Sequence, residues 1–401
     1  MEWKRIRLGD YISIKSGLAY SGSKIGKGDS ILLGMGCVSY KDKFVESGAR
    51  PYDDICDDRF VVKPGDIVLA TRQQSDNLPI LAMPAIIPNS YQNKRVIFGT
   101  NLYKVDNKSE INNRFLFWLF KHQHYVNYIA GVKSGTAVQM VTKKNVEDYK
   151  FLCPPANVRE SISNILWTYD NLIENNNRRI RLLEQMAESL YKEWFAYHKI
   201  KDTSKEIRLT EIISIHRGLS YSSEEIDCEN GNDLINLKNI QAFGGFRLDG
   251  TKKYDGKYKK DQIVEEGDLI MGVTDMTQDR RTVGSVALIP NIKLLSVISA
   301  DLIKLESKID NVYLYAMFRW GNVSKYVSQF ANGANVLHLR PQVLRNVKVL
   351  LPQQTLIDKY VSVVKPMIET INKLNTENDS LSRQRDLLLP RLMSGKLEVK
   401  V

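Results

Sequence analysis

The chain carries near its start the stretch Arg7-Leu-Gly-Asp-Tyr-Ile-Ser-Ile-Lys-Ser-Gly-Leu-Ala-Tyr-Ser21, and 201 residues later the stretch Arg208-Leu-Thr-Glu-Ile-Ile-Ser-Ile-His-Arg-Gly-Leu-Ser-Tyr-Ser222. Nine of the fifteen positions are identical. The similarity continues downstream, where Gly135-Thr-Ala-Val138 corresponds to Gly333-Ala-Asn-Val336. A repeat of about 20–50 residues would be typical of a solenoid. A repeat of half the chain instead predicts two complete, similar domains.

The charge balance favours a polyanionic partner. The 401 residues include 57 Lys and Arg against 46 Asp and Glu, which gives a net charge of +11. Each nucleic-acid phosphate that a basic side chain neutralises releases condensed counterions, so such an excess is typical of nucleic-acid-binding proteins. Hydrophobic residues make up 43% of the chain, as in ordinary folded proteins.

Cysteine usage and the amino terminus predict a cytoplasmic protein. The four cysteines, Cys37, Cys56, Cys153 and Cys228, are widely spaced and do not correspond between the repeats. We expect them to be free thiols in a reducing compartment. No apolar run is long enough for a membrane span. Repeat sequence begins almost at Met1, so no signal peptide is expected.

Each half of the chain divides into two parts. The first parts, 1–152 and 201–350, are rich in β-branched and aromatic residues and in turn residues, and they predict mixed α/β domains. Within them, 61–70 and 263–272 predict a strand, a Gly-Asp turn and a strand, whereas 114–129 and 312–330 predict helices. The second parts, 153–200 and 351–401, predict long helices.

The long helices show a heptad pattern. Apolar residues recur every 3.5 residues on average from Ile162 through roughly five heptads, and the second helix repeats this pattern. These apolar residues form a seam along each helix; Asn176 interrupts the seam of the first helix, and Asn378 and Arg385 interrupt that of the second. A strict 3.5-residue period predicts a supercoiled pair. Pro366 should kink the second helix or delay its start.

Catalytic and cofactor signatures are missing from the pattern. An adenine methyltransferase loop has Asn or Asp before a Pro-Pro pair and an aromatic residue after it, and Cys153-Pro-Pro-Ala156 has neither. A phosphate-binding loop is one residue longer than Gly22-Ser-Lys-Ile-Gly-Lys27 and is followed by Ser or Thr, where this chain has Gly28. The five histidines form no metal-ligand set with cysteines or carboxylates. We therefore expect no catalytic, cofactor-binding or metal-binding residues in this chain.

Four loops, two in each repeat, combine residue types that read DNA. Arginine pairs bidentately with guanine, and Asn or Gln pairs with adenine, while glycine exposes backbone N–H groups to phosphates. Equivalent loops differ in chemistry, as expected if each domain reads a different sequence; ordinary solvated polar loops are the alternative. The candidate DNA-binding residues are Arg72, Gln73, Gln74, Asn77, Lys133, Thr136, Gln139, Lys143, Thr274, Gln278, Arg280, Arg281, Asn332, Asn335, His338 and Arg340.

An aromatic cluster at the end of the first long helix is a candidate docking site for a partner subunit. Tyr191, Trp194 and Phe195 are bulky for a two-helix seam, and aromatic residues dominate interface cores. A place in the core of the helix pair is the alternative.

The whole chain resembles the specificity subunit of type I restriction-modification enzymes. The resemblance rests on the Gly-Asp-hydrophobic strands, Ser134-Gly-Thr-Ala-Val138 leading to Leu152-Cys-Pro-Pro155, Leu190-Tyr-Lys-Glu-Trp-Phe195 and Leu388-Leu-Pro-Arg-Leu-Met-Ser-Gly395. It implies an α+β protein in which two target-recognition domains are separated by two long helices that form an antiparallel coiled coil. In that arrangement repeat symmetry permits Asn176 and Asn378 to face each other as a register lock.

The resemblance also implies a division of labour. Each domain would read one half of a split double-stranded DNA site. Two methylation subunits would bring S-adenosylmethionine chemistry to adenine, and motor-nuclease restriction subunits would bring ATP and Mg²⁺. A recognition module of a fused or stand-alone methyltransferase or nuclease is an alternative, which turnover of a methyl donor would reveal. A coiled-coil scaffold without DNA is another, which a gel shift would separate.

Overall fold

The computed structural model describes residues 3–53, 56–74, 80–195, 200, 203–226, 230–292 and 294–399. These residues group into two compact units. Unit 1 comprises 1–174 together with 379–401, and unit 2 comprises 175–378. Each unit holds one copy of the sequence repeat, and each long helix contributes a segment to both units.

The α-helices whose bounds lie in the described residues are α1 Asn113–Lys121, α2 Gln123–Val132, α3 Lys143–Glu147, α4 Ala156–Phe195, α5 Asn311–Arg319, α6 Val323–Ser328 and α7 Gln354–Met393. The predicted helices at 114–129 and 312–330 are confirmed, but each is broken into two. The first break lies at His122. The second lies at Trp320–Asn322, where Asn322 adopts a left-handed φ of +65°.

Each unit contains twelve strands within its described residues, and the order of the strands is the same. In unit 1 they are β1 Lys4–Arg7, β2 Ile12–Ser16, β3 Ile25–Leu33, β4 Ala49–Tyr52, β5 Val61–Val62, β6 Ile67–Ala70, β7 Arg72–Gln73, β8 Pro84–Ile86, β9 Val96–Phe98, β10 Leu102–Asn107, β11 Gln139–Met140 and β12 Lys150–Cys153. In unit 2 they are β13 Lys205–Arg208, β14 Ile213–Arg217, β15 Asn232–Ile235, β16 Lys252–Tyr254, β17 Ile263–Val264, β18 Leu269–Gly272, β19 Thr274–Asp275, β20 Val286–Leu288, β21 Ser296–Ile298, β22 Leu302–Ser307, β23 Leu337–His338 and β24 Lys348–Leu351.

The sheets of the two units have the same topology. An antiparallel sheet has the order β2-β10-β6-β8 in unit 1 and β14-β22-β18-β20 in unit 2. A mixed sheet has the order β4-β3-β9-β5 or β16-β15-β21-β17, with a parallel pair at its centre. Two-stranded pairs, β1-β12 and β7-β11, recur as β13-β24 and β19-β23. The sequence repeat is therefore a repeat of a complete fold, as predicted.

The Gly-Asp turn predicted in each domain is a local hydrogen-bonded structure. Its glycine has a φ of +85° in unit 1 and +86° in unit 2, a conformation that only glycine adopts without cost. The carboxylate of Asp66 accepts hydrogen bonds from the backbone N–H of Lys63 at 2.9 Å and from the Lys104 ammonium at 2.7 Å. Asp268 and Lys304 repeat the ion pair at 2.6 Å. The motif is thus explained by folding rather than by recognition.

A segment of each long helix forms part of each unit's core. In unit 1, Ile162 and Leu166 of α4 and Leu392 of α7 are buried against the aromatic face of α1. In unit 2, Ala187 of α4 and Tyr360 of α7 are buried among residues of β18 and α5. Burial of these seam residues accounts for the 3.5-residue period that the sequence displays.

Polar residues interrupt the seam in pairs. In unit 2, Asn176 Nδ2 donates to Asn378 Oδ1 at 3.1 Å, and both side chains are buried, which confirms the predicted register pair. The Tyr360 hydroxyl donates to the Ala187 carbonyl at 3.2 Å. Residue 176 of α4 thus contacts residue 378 of α7, whereas the later residue 187 contacts the earlier residue 360, so the two helical segments of this unit run antiparallel.

The second interruption of the seam is explained within unit 1. There the Arg385 guanidinium forms a buried ion pair with the Asp170 carboxylate at 2.6 Å. Burial raises the pKa of Asp170, which the guanidinium offsets only in part.

The predicted effect of Pro366 is wrong in one respect. Helix α7 begins at Gln354, directly after the domain, and its helical backbone continues through Pro366. The residues before Pro366 include Ile357, Tyr360 and Val364, which are completely buried in the core of unit 2. Their burial holds the first turns of the helix in place, so the proline does not delay its start.

Two further expectations concern thiols and membranes. Cys37, Cys56 and Cys153 are free thiols, and Cys228 lies outside the described residues. Burial raises the pKa of the Cys37 thiol to about 12, so that thiol is not a reactive nucleophile near neutral pH. Within the described part of the chain, no helix combines the length and the apolar character that a membrane crossing requires.

Candidate nucleic-acid interface

The two candidate loops of each repeat, predicted separately, are joined by a short antiparallel sheet. In unit 1, strand β7 pairs with β11, so that Arg72 lies opposite Met140 and Gln73 opposite Gln139. In unit 2, β19 pairs with β23, and Thr274 lies opposite His338. One composite surface per unit therefore carries the residues of both loops.

The second loop of each surface is a tight hairpin that requires glycine. Gly135 has a φ of +94°, and a Cβ atom there would lie 2.2 Å from the carbonyl oxygen of Val138. Gly333 has a φ of +153°, and its Cβ would lie 1.8 Å from the carbonyl oxygen of Val336. Both contacts are impossible for other residues. The repeated glycine thus shapes the hairpin, whereas its neighbours are free to differ.

Gln73 is not available to DNA, contrary to its assignment as a DNA-binding residue. Its side chain is 4% exposed. The amide Nε2 donates to Gln139 Oε1 at 2.6 Å, and Oε1 accepts from the backbone N–H groups of Ile80 and Leu81 at 3.1 and 3.0 Å. Gln73 therefore anchors the end of the first loop and orients Gln139.

Asp275 has the same role in unit 2, although it was not among the residues predicted from the sequence. Its buried carboxylate accepts from the backbone N–H and hydroxyl of Thr277, both at 2.8 Å. It also accepts from the backbone N–H groups of Thr282 and Val283 at 2.6 and 3.3 Å. Burial acts to raise the pKa of Asp275, but these donors outweigh it and the pKa is lowered. The repeat register, which aligns Asp275 with Gln73, was the signal available in the sequence.

Thr274 is a second correction. Its side chain is buried, and its hydroxyl donates to the Asp301 carboxylate at 2.9 Å, within the fold of unit 2. The hydroxyl is therefore committed to the support of strand β19 and cannot reach a base edge.

The remaining candidates of unit 1 that the structure describes are half-buried or exposed. Lys133 and Gln139 are half-buried, and the Lys133 ammonium donates to Gln139 Oε1 at 3.1 Å. Asn77 lies outside the described residues. The exposed candidates are Arg72, Gln74, Thr136 and Lys143.

In unit 2 the two loops are also connected by a side chain. The Gln278 amide donates to the carbonyl of Ala334 in the hairpin at 3.0 Å. Arg281 forms an exposed ion pair with Asp279 at 2.6 Å, and Arg280 is exposed with a left-handed φ of +52°. The other exposed candidates of this surface are Asn332, Asn335, His338 and Arg340.

Both surfaces therefore combine cationic and amide side chains on a frame of buried anchors. The cations can neutralise phosphates, and Arg, Asn and Gln side chains can pair with base edges. The exposed residues differ between the units, whereas the strands, the hairpin glycine and the anchor position are shared. Such an arrangement can present two different recognition surfaces on one fold.

Two of the three candidate docking residues belong to the core. Tyr191 and Phe195 are 7% and 6% exposed, and they pack with Tyr313 and Tyr360 at ring-centroid distances of 5.0–6.3 Å. Burial raises the pKa of Tyr191 well above its usual value. Their assignment to a docking surface is wrong, because the ring cluster fills the space between α4, α5 and α7 within unit 2. Trp194 is half-buried and stays a candidate.

Comparisons with known proteins agree with this architecture. Residues 1–185 match the family model of the type I restriction modification DNA specificity domain. The type I restriction enzyme MjaVIII specificity subunit of Methanocaldococcus jannaschii is 22% identical, and the match covers 100% of this chain and 94% of the relative. The type I restriction enzyme HindI specificity subunit of Haemophilus influenzae is also 22% identical, over 71% of this chain and 77% of the relative.

A solved structure shares the fold. The S subunit of a type I restriction-modification system from M. genitalium superposes with a TM-score of 0.60 at 15% identity, and the match covers 100% of this chain and 97% of that one.

Proposed function

We propose that this chain is a type I restriction-modification specificity subunit and that its two units read the two halves of one split DNA site, because residues 1–185 match the DNA specificity domain of that family and relatives along the whole chain are such subunits. The observation that carries this proposal is the composite surface that each unit builds from a short strand and a glycine hairpin. The two surfaces share their short strands, hairpin glycine and anchor position, but their exposed side chains differ. Two surfaces of one design but different chemistry suit a site with two unlike halves.

The roles of the side chains follow from their chemistry and exposure. Arg72 is exposed beside the buried Gln73, and Arg280 is exposed in the loop between Thr277 and Thr282 that Asp275 holds. We therefore assign both to base edges, with guanine as the favoured partner. Lys143 and Arg340 flank the two surfaces and are assigned to phosphates. Phosphate contacts fix the register of the protein on the duplex without reading sequence, and base contacts supply specificity.

The proposal assigns the chemistry of modification and restriction to partner subunits. Two methylation subunits would bind S-adenosylmethionine and take the target adenine out of the stack, because a stacked base cannot enter a catalytic pocket. Restriction subunits would supply ATP-driven translocation and cleavage with Mg²⁺. This chain would select the position, and it would contribute no catalytic group. Trp194 is the remaining candidate from the sequence for a contact with a methylation subunit.

Reconstitution tests this division of labour. The purified chain alone should transfer no methyl group from radiolabelled S-adenosylmethionine to unmethylated DNA with the sequence of the host genome. Addition of the methylation subunits of the same system should produce methyl transfer to adenine. Methyl transfer by the chain alone would instead support the fused or stand-alone enzyme, and a reconstituted complex without DNA binding would support a scaffold.

A further inference from the structure

The turn at 241–245, between strands β15 and β16, presents an exposed aromatic ring. Phe243 is 64% exposed, although Phe side chains are usually buried. Its backbone has a φ of +63°. The backbone N–H of Gly244 donates to the Gln241 carbonyl at 2.9 Å, so Phe243 occupies the third position of a tight turn. With a positive φ, that position favours glycine or asparagine.

Folding does not account for a phenylalanine at this position. The ring gains little from burial, and its backbone conformation is strained for a residue with a Cβ atom. Glycine, which follows in sequence at 244 and 245 with φ values of +112° and +111°, would satisfy the same turn without strain. Strained residues that are exposed cluster at sites of binding or catalysis.

Hydrogen bonds place the turn at the candidate interface of unit 2. The backbone N–H of Phe243 donates to the carbonyl of Arg281 at 2.7 Å. The N–H of Gly245 donates to Val286 at 2.9 Å, which fixes the other side of the turn to strand β20. Phe243 therefore stands next to Arg280 and Arg281, and Arg280 is itself exposed with a left-handed backbone.

We propose that Phe243 is an apolar wedge that inserts between two base pairs of the half-site read by unit 2. This inference rests on the proposed function. Apolar side chains at DNA interfaces unstack base steps in this way, while neighbouring cations hold the phosphates of the widened step. Arg281, whose carbonyl accepts the hydrogen bond from the Phe243 N–H, supplies such a cation.

The two units differ in this feature. The residue 202 positions before Phe243 is Lys41, which is exposed and not aromatic. Within the described residues of unit 1, the non-glycine residue with a positive φ is Ala82, which is buried. Tyr40, next to Lys41, is 48% exposed, but its φ is not positive. The strained aromatic residue is thus found in unit 2, and the unstacked step is predicted in the half-site that unit 2 reads.

Base stacking is measured on the complex with its methylation subunits, bound to a duplex that carries the mapped methylation site. The fluorescent base 2-aminopurine replaces one base at a time, apart from the target adenines. Binding of the wild-type complex should raise the fluorescence severalfold at one step of the unit 2 half-site. Phe243→Gly and Phe243→Ala should abolish this rise, and Phe243→Tyr should retain it.

Affinity for the same duplex should fall by roughly five- to a hundredfold in Phe243→Gly, as expected for the loss of one base–aromatic contact. Affinity for DNA without the site should be unchanged. Because glycine relieves the strained backbone, the unfolding temperature should equal or exceed that of the wild type. Leu294→Ala is the control, since Leu294 is 53% exposed in the loop after the other end of strand β20, and it should behave as wild type.

Two kinds of failure are distinguishable. If the wild-type complex methylates no adenine and binds no specific site, the proposed function fails, and the wedge fails with it. If the wild-type complex methylates its site, but no step in the unit 2 half-site becomes fluorescent, only the wedge is refuted. A loss of fluorescence or affinity that Phe243→Gly shares with Leu294→Ala, or a lower unfolding temperature for Phe243→Gly, also refutes it.

Discussion

Replacement of Asp275 by alanine should disorder one recognition surface and leave the other intact. The carboxylate accepts four hydrogen bonds, of which two come from the exposed Thr277, whose donors can turn to water. The other two come from Thr282 and from Val283, which is 1% exposed. Hydrogen bonds to a buried charge contribute about 1.5–3 kcal/mol each, and the bond to Val283 is long. We therefore expect a loss of about 3 kcal/mol in the stability of the loop that carries Arg280.

Hydrogen exchange measures this effect directly. In Asp275→Ala the amides of Thr282 and Val283 should exchange on the order of a hundredfold faster, which corresponds to about 3 kcal/mol. The helices of unit 1 should exchange as in the wild type. In the complex, recognition of the unit 2 half-site should be lost while the unit 1 half-site is still read. Unchanged exchange at these amides, or equal damage to both half-sites, would refute the anchor role.

The pKa of Asp275 adds a pH test. The folded-state pKa is lowered, so the stabilisation is complete above the unfolded-state pKa of about 4 and is lost as the pH falls through the lower folded value. The difference in unfolding free energy between wild type and Asp275→Ala should therefore be constant near neutral pH and shrink below about pH 4. A difference that persists at low pH would mean that the charged form is not what holds the loop.

Three further predictions concern bases and helices. Arg72→Ala should weaken binding to the unit 1 half-site by about 1–3 kcal/mol in competition assays and weaken binding to random DNA by less. An equal loss of affinity for both DNAs would instead indicate that Arg72 contacts a phosphate. Asn176→Leu should cost about 1–3 kcal/mol in chemical denaturation, because the buried Oδ1 of Asn378 loses the hydrogen bond from Asn176 while its Nδ2 still donates to Asn177. Leucine at both 176 and 378 should recover that stability, and no recovery would refute the register pair. Asp170→Ala should cost about 3 kcal/mol, because Arg385 loses its buried carboxylate partner and keeps the exposed Asp386. Joint replacement of Asp170 and Arg385 by Met should be close to neutral; a cost for the pair that equals the single cost would refute this reasoning.

The sequence predicted the features that both repeats share. The Gly-Asp turn, the hairpin glycine and the seam asparagines are visible because a residue type with one physical use recurs at the same place. The pairing of Asn176 with Asn378 could be predicted because a polar residue in an apolar seam must find a partner. Asp170 was missed as the partner of Arg385, because an aspartate on a heptad helix is indistinguishable in sequence from a solvated residue.

Side-chain burial in the loops could not be predicted. Gln73, like Arg72, is a residue type that reads bases, and only the pairing of strands β7 and β11 turns one inward and the other outward. Tyr191 and Phe195 were misassigned for a related reason. A bulky aromatic pair exceeds what a two-helix seam can hold, but residues of α5 complete the cluster, and that packing depends on tertiary structure.

The most direct test of the central claim is a map of methylated adenines in DNA from cells that express this chain with its methylation subunits. The account predicts a motif of two specific half-sites with unread bases between them. It further predicts that Arg72→Ala changes the bases required in one half only, and Arg280→Ala those in the other half only. A single uninterrupted motif, or two variants that alter the same half, would contradict the claim that each unit reads its own half of the site.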